Sequence, residues 1–254
     1  MEWKRSAPRI GAFLTPPFSS AWRCSACLHS FQLSQPFPSL VRIALRILMR
    51  TKEQATSFLF LRHGATDFPE NRYYCDSVED PALNPVGLKQ AAGWPDRLQG
   101  KSIAALYVSP SRRTQETARP TADRLGLKIE TTEGLRERTF GSWDGLTSEV
   151  LQQRFPEEWS AWKKDPLHFT PAGGESLVGF AKRVDETIQT LLARHAGQTI
   201  LLVTHVGPIR MIVAAALGMA LENQKRLVVG SCSLTQIDYT ASWPNLVFFS
   251  LRPE

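Results

Sequence analysis

Apolar positions along this chain fall into two recurring patterns. Short unbroken runs occur at Phe58-Leu59-Phe60-Leu61, Ile103 to Val108 and Thr199 to Val203, and such runs suit strands covered on both faces. Between them lie stretches of helical period: Pro85 to Leu98, Ser111 to Leu125 and Glu175 to His195. In the last of these, Leu177, Ala181, Val184, Ile188 and Leu191 recur three and four apart. Two late runs, Leu234 to Asp238 and Leu246 to Leu251, read as strands joined by a turn around Trp243-Pro244-Asn245. The alternation predicts an α/β fold of three layers, a mostly parallel central sheet with helices on both faces. In such sheets ligands bind beyond the carboxyl ends of the strands.

The first 56 residues break this pattern. They are rich in Ser, Pro and Arg and almost free of acid, and show little regular alternation before Leu40 to Met49. We therefore divide the chain into an extension, residues 1–56, and a single catalytic-size domain, residues 57–254. The extension reads as an organelle-targeting peptide, a disordered tail or the product of a start placed too early. The last is favoured, with Met49 as the start.

Composition changes the picture in two places. The formal charge is +6, but residues 1–48 hold Lys4, Arg5, Arg9, Arg23, Arg42 and Arg46 against Glu2, and so carry +5 of it. The domain is nearly neutral, which argues against a nucleic-acid partner. Four cysteines, Cys24, Cys27, Cys75 and Cys232, form no disulfide framework and fit a reducing, cytoplasmic location, with organelle targeting by residues 1–48 left open. Cys24-Ser25-Ala26-Cys27, with His29 nearby, could begin a zinc or redox site, but no second pair completes it; two free thiols are the preferred reading. No run approaches the ~20 apolar residues of a membrane-crossing helix, so no membrane partner is expected.

Candidate chemistry sits where the strands end. Leu61-Arg62-His63-Gly64 delivers a cation and an imidazole together, and imidazole is a competent nucleophile near neutral pH. After the second strand comes Ser109-Pro110-Ser111-Arg112-Arg113, with Ser109 read as a helix cap and Pro110 in the first turn. A guanidinium there would match two phosphate oxygens with its planar fork. The loop Leu135-Arg136-Glu137-Arg138-Thr139-Phe140-Gly141-Ser142-Trp143-Asp144-Gly145 hems a carboxylate among aromatic and glycine residues. Partial burial there would raise its pKa and keep a proton for a leaving alkoxide, whereas flanking arginines alone would make it a surface ion pair. The third strand ends in Thr204-His205-Val206-Gly207; a protonated His205 would donate to phosphoryl oxygens.

In order, spacing and strand context, these four motifs resemble the histidine phosphatase superfamily, or phosphoglycerate mutase-like family, in its phosphatase branch. The resemblance runs from about Ser57 to the end, about four fifths of the chain. It implies the phosphoglycerate mutase-like fold, a phosphohistidine formed on His63, phosphate binding by Arg62, Arg113 and His205, and Glu137 as proton donor, with Arg112 in a variable position. The family's Gly-Gly-Glu-Ser element is present as Gly173-Gly174-Glu175-Ser176, where free amides at a helix start, that of Gly174 among them, would help bind an anion. The chain departs from the family where an asparagine usually assists phosphate binding and a Gln-Gly pair follows; Asn71 is the substitute considered.

The reading is a two-step hydrolysis of a small-molecule phosphate ester, with no cofactor and no metal, by a chain that could pair as a homodimer. The alternatives are a mutase that returns the phosphoryl group to bound substrate, a non-catalytic phospholigand-binding domain, and a phosphatase acting on protein phosphohistidine. Mutases of this type carry histidine and tyrosine behind the glutamate and a long insertion; here Arg138-Thr139 and a short stretch with Trp143, Phe155, Trp159, Trp162 and Phe169 follow. Those aromatics either cover the site and contact the leaving group or pack two short helices.

Overall fold

A computed structural model describes residues 55–69, 72–74 and 79–252. Residues 1–54 of the extension, with Met49, Cys24 and Cys27, lie outside the described residues, as do Cys75 and Asn71, while Thr56 already opens the first strand. The apolar runs become strands β1 (Thr56–Arg62), β2 (Ile103–Val108) and β4 (Thr199–Thr204), and the late runs become β5 (Leu234–Tyr239) and β6 (Pro244–Leu251). A short β3 (Ile129–Thr131) completes a six-stranded sheet in the order β3-β2-β4-β1-β5-β6. Strands β3, β2, β4 and β1 run parallel, and β5 and β6 add an antiparallel edge.

Because side chains alternate along a strand, each central strand feeds two cores. Phe58, Phe60, Ile200 and Leu202 face helices α6 (Leu177–Arg194) and α7 (Val206–Ala216). Leu59, Leu61, Leu201 and Val203 face α1 (Pro85–Ala92), α2 (Pro95–Leu98) and α3 (Arg112–Leu125). All eight are fully buried. Each contributes about 1.5–3 kcal/mol of apolar burial, which is why all eight of these positions carry apolar side chains. The three-layer α/β expectation holds, with parallel strands in the majority.

Local differences from the sequence reading have local causes. The predicted helix over 85–98 is two helices, because Gly93 ends the first and Pro95 cannot continue it. Helix α3 begins at Arg112 with Ser111 in the capping position, so neither Ser109 nor Pro110 lies where the sequence reading put it. Its spacing buries Arg113, Thr117 and Thr121 in one row and Thr114, Ala118 and Ala122 in the next, and Gly126 ends it in the left-handed conformation. Helix α6 starts at Leu177, two residues later than expected, where the Ser176 side chain accepts from the Gly179 amide. Helix α7 had no separate signal: it is apolar on most sides and follows directly on the β4 run. The aromatic stretch does form two short helices, α4 (Ser148–Arg154) and α5 (Pro156–Lys164). Among the described residues no helix is long and apolar enough to cross a membrane.

Candidate active site

Parallel pairing brings the motifs together. Arg62 and Thr204 are register partners, and the His63 amide donates to the Thr204 carbonyl at 2.9 Å. The residues after β1 and β4 therefore leave the sheet side by side, and the rings of His63 and His205 lie 5.3 Å apart. Strand β2 borders β4 on its other side and turns into α3, which delivers Arg113, almost wholly buried, to the same end.

His63 is oriented by its own neighbour. Nδ1 lies 2.8 Å from the Gly64 carbonyl oxygen, which can only accept, so Nδ1 carries the proton and Nε2 keeps its lone pair. Burial, the Arg113 charge and the Arg62 charge hold this imidazole's pKa well below the usual histidine range. The ring is neutral at physiological pH, as a nucleophile must be. Gly64 is required by packing: a β-carbon there would press on the Gly87 backbone.

Arg113 donates through Nη2 to His205 Nδ1 at 3.0 Å and through Nη1 to the Tyr74 hydroxyl at 3.0 Å. Its guanidinium lies 4.6 Å above the Tyr74 ring, which stacks on Phe68 at 3.7 Å. Arg112 turns outward and pairs with Glu116. The pair of arginines is thus divided between interior and surface, and the inner one is Arg113.

The expectation for His205 needs correction. It is fully buried, and because Nδ1 accepts from Arg113, Nε2 carries the proton and donates to the Ser109 hydroxyl at 2.8 Å. Burial and then Arg113, with smaller effects from His63 and Arg62, keep its pKa well below the usual range. A neutral ring with both nitrogens engaged is no protonated phosphoryl donor; it positions Arg113. Ser109, read in the sequence as a helix cap, is the partner that fixes the tautomer.

Glu137 is reached from β3 by a loop held on three sides. The Thr204 hydroxyl donates to the Leu135 carbonyl at 2.7 Å, and Leu135 is fully buried. Arg183 on α6 donates to the carbonyls of Gly134, Arg136 and Glu137, while Glu175 grips the same guanidinium at 2.8 Å. The Glu137 carboxyl accepts from the Arg138 and Gly207 amides at 2.9 and 3.0 Å. Burial outweighs those bonds and the nearby arginines, and raises its pKa above the ordinary carboxylate value. Of the flanking arginines, Arg136 pairs with Glu133, and Arg138 donates to the Glu175 carbonyl. Gly207 has no substitute, since a β-carbon would run into the Glu137 carboxyl.

Gly174 does not join this group. Its amide donates to the Pro171 carbonyl, and its lack of a side chain lets the Thr139–Phe140 backbone pass. The Gly-Gly-Glu-Ser element instead braces the Glu137 loop, through Glu175 and Arg183.

Two cavities meet here. One of about 160 Å³ is lined by Arg62, His63, Gly64, Tyr74, Arg113 and Ser231; the other, of about 610 Å³, is walled by Tyr73, Phe140, Trp143, Trp162 and Phe180. Both are lined by Glu137, Val206 and Arg72. Arg72 and Tyr74 come from the loop after β1, a segment whose sequence carries no regular pattern, so only the folded chain reveals them.

A half-buried strand-end imidazole with a free Nε2, three arginines around a small cavity and a raised-pKa carboxyl at its edge make a site of the class suited to phosphate esters. Comparison with known proteins gives the same class: the sequence profile of the histidine phosphatase superfamily (branch 1) matches residues 58–251, and the chain belongs to that family. The bifunctional protein Rv2228c of Mycobacterium tuberculosis is 36% identical over 189 residues, which are 73% of this chain and 51% of that protein. The chain thus spans about half the length of the mycobacterial relatives it matches. The adenosylcobalamin/alpha-ribazole phosphatase of Escherichia coli K12 is 30% identical over 192 residues, 76% of this chain and 94% of its own. Among solved structures, mycobacterial glucosyl-3-phosphoglycerate phosphatase aligns with a TM-score of 0.68 at 28% identity, over 78% of this chain and 99% of the other.

Proposed function

We propose that this protein hydrolyses small phosphate monoesters through a phosphohistidine on His63. The observation that carries the reading is the position of Glu137, at the junction of a small cationic cavity and a larger aromatic one. That junction is where the oxygen linking a phosphoryl group to its leaving group would lie. His63 Nε2 gives its lone pair to phosphorus, the phosphorus–oxygen bond breaks, and the Glu137 proton passes to the departing oxygen. Water then attacks the phosphohistidine, gives its proton to the Glu137 carboxylate, and the phosphorus–nitrogen bond breaks to release inorganic phosphate. Arg62 and Arg113 offset the charge on the phosphoryl oxygens in both steps, so the reading requires no metal ion. The similar phosphatases, and Arg138-Thr139 where mutases carry histidine and tyrosine, favour water over a bound alcohol as the final acceptor. Few cysteines without a disulfide framework support a reducing, cytoplasmic location, with organelle targeting by residues 1–48 the alternative.

The test is phosphate release from a panel of esters in the presence of chelator, by the wild-type protein and by His63→Ala. Release that survives chelation and is abolished by the substitution supports the proposal. Interconversion of phosphoglycerates without release would replace it with a mutase, and silence on every ester would leave only a binding domain.

A further inference from the structure

The larger cavity combines two chemistries. Its walls are aromatic, from Tyr73, Phe140, Trp143 and Trp162, yet Arg138, Arg210 and Lys225 also line it. Each cation is anchored by a group that carries no net charge. Arg138 donates through Nε and Nη2 to the Glu175 carbonyl, Arg210 donates through Nε to the Leu227 carbonyl at 2.8 Å, and the Lys225 ammonium stands 4.6 Å over the Trp162 ring. None of the three forms an ion pair with a carboxylate among the described residues. Among the described residues two carboxylates line this cavity: Glu137, whose burial favours its uncharged form, and the exposed Glu222.

Clustered cations beside an apolar wall repel one another and are partly stripped of water. Burial and then Arg138 and Arg210 push the Lys225 pKa below the usual lysine value. An arriving anion would relieve both penalties, and charge-assisted bonds to guanidinium are among the stronger polar contacts available.

We propose that Arg138, Arg210 and Lys225 form a second anion subsite, and that the substrates are phosphate esters whose leaving group joins a flat or apolar body to a distal carboxylate or phosphate. This rests on the hydrolase reading above and extends it to the leaving group. The aromatic walls take the body, the three cations take the distal anion, and Glu137 stays at the scissile oxygen between the two cavities.

The test compares three aryl esters of similar size: 4-carboxyphenyl phosphate, its 4-phosphonophenyl counterpart and the uncharged 4-carbamoylphenyl phosphate. The wild-type protein should show kcat/KM for at least one charged ester about tenfold or more above that for the neutral one, with the difference shrinking as salt is raised. Whichever charged ester leads identifies the anion. In Lys225→Gln and Arg210→Gln that ratio should fall towards one, and Lys225→Arg should restore it. Because the readout is a ratio within one variant, losses that come from poor folding cancel, and Lys225 at the mouth guards against an unfolded Arg210 variant. A wild-type ratio near one, or a ratio unmoved by both substitutions, overturns the subsite while leaving the hydrolase reading intact. No release from any of the three esters overturns both.

Discussion

His63 and Glu137 are driven in opposite directions by one environment. Burial disfavours the charged form of each, which means a depressed pKa for the imidazole and a raised one for the carboxyl. Attack needs His63 neutral and departure needs Glu137 protonated, so kcat/KM should be bell-shaped. The acid limb falls as pH drops through the depressed His63 value, below 6.5; the alkaline limb falls as pH rises through the Glu137 value, above 4.5. Glu137→Gln should remove the alkaline limb. It should also lower kcat/KM for alkyl esters by about a hundredfold or more, and for nitrophenyl esters far less, because a good leaving group departs unprotonated. Equal losses on both ester types would remove Glu137 from the acid role. These residues were legible in the sequence because each ends an apolar strand or sits in a loop of aromatic and glycine residues. The state of His205 was not, since it depends on Arg113 and Ser109, 92 and 96 positions away.

At the scale of elements, Glu137, the proposed proton donor, is held in place from helix α6. Arg183 on α6 donates to the carbonyls of Gly134, Arg136 and Glu137 and is itself held by Glu175. We treat it as a positioning residue. Arg183→Met should lower kcat on alkyl esters by about tenfold, from lost charge-assisted bonds, and move the alkaline limb of the pH profile, with nitrophenyl esters spared. Arg183→Lys should restore part of both effects. A uniform loss on all esters with an unmoved pH profile would make Arg183 merely structural. The helical period of α6 was readable from Leu177, Val184, Ile188 and Leu191, all of which are buried. The role of Gly174 was misread because helix-start amides suggest anion binding in general, whereas this amide is already bonded to Pro171.

For the molecule as a whole, the strand order explains how separated motifs converge. Strands β1, β4 and β2 are neighbours and parallel, so segments around residues 62, 108 and 204 must share one sheet end, and the β3 exit brings residue 137 to it. Unbroken apolar runs gave away the central strands. The three residues of β3, one of them apolar, did not suffice to announce a strand. The shape of the two cavities was beyond sequence reading altogether, because it depends on Tyr73 meeting Phe140, Trp143 and Trp162 across the site and on Arg72 and Tyr74 lining its walls. The central claim concerns a covalent bond, and its most direct test is acid-free trapping of the phosphoenzyme from a phosphorus-labelled aryl ester, followed by peptide mapping under alkaline conditions that preserve phosphohistidine. The account predicts label on His63, formed at the rate of ester cleavage and lost in His63→Ala. Phosphate release at full rate from His63→Ala, or label on any other residue, would contradict it.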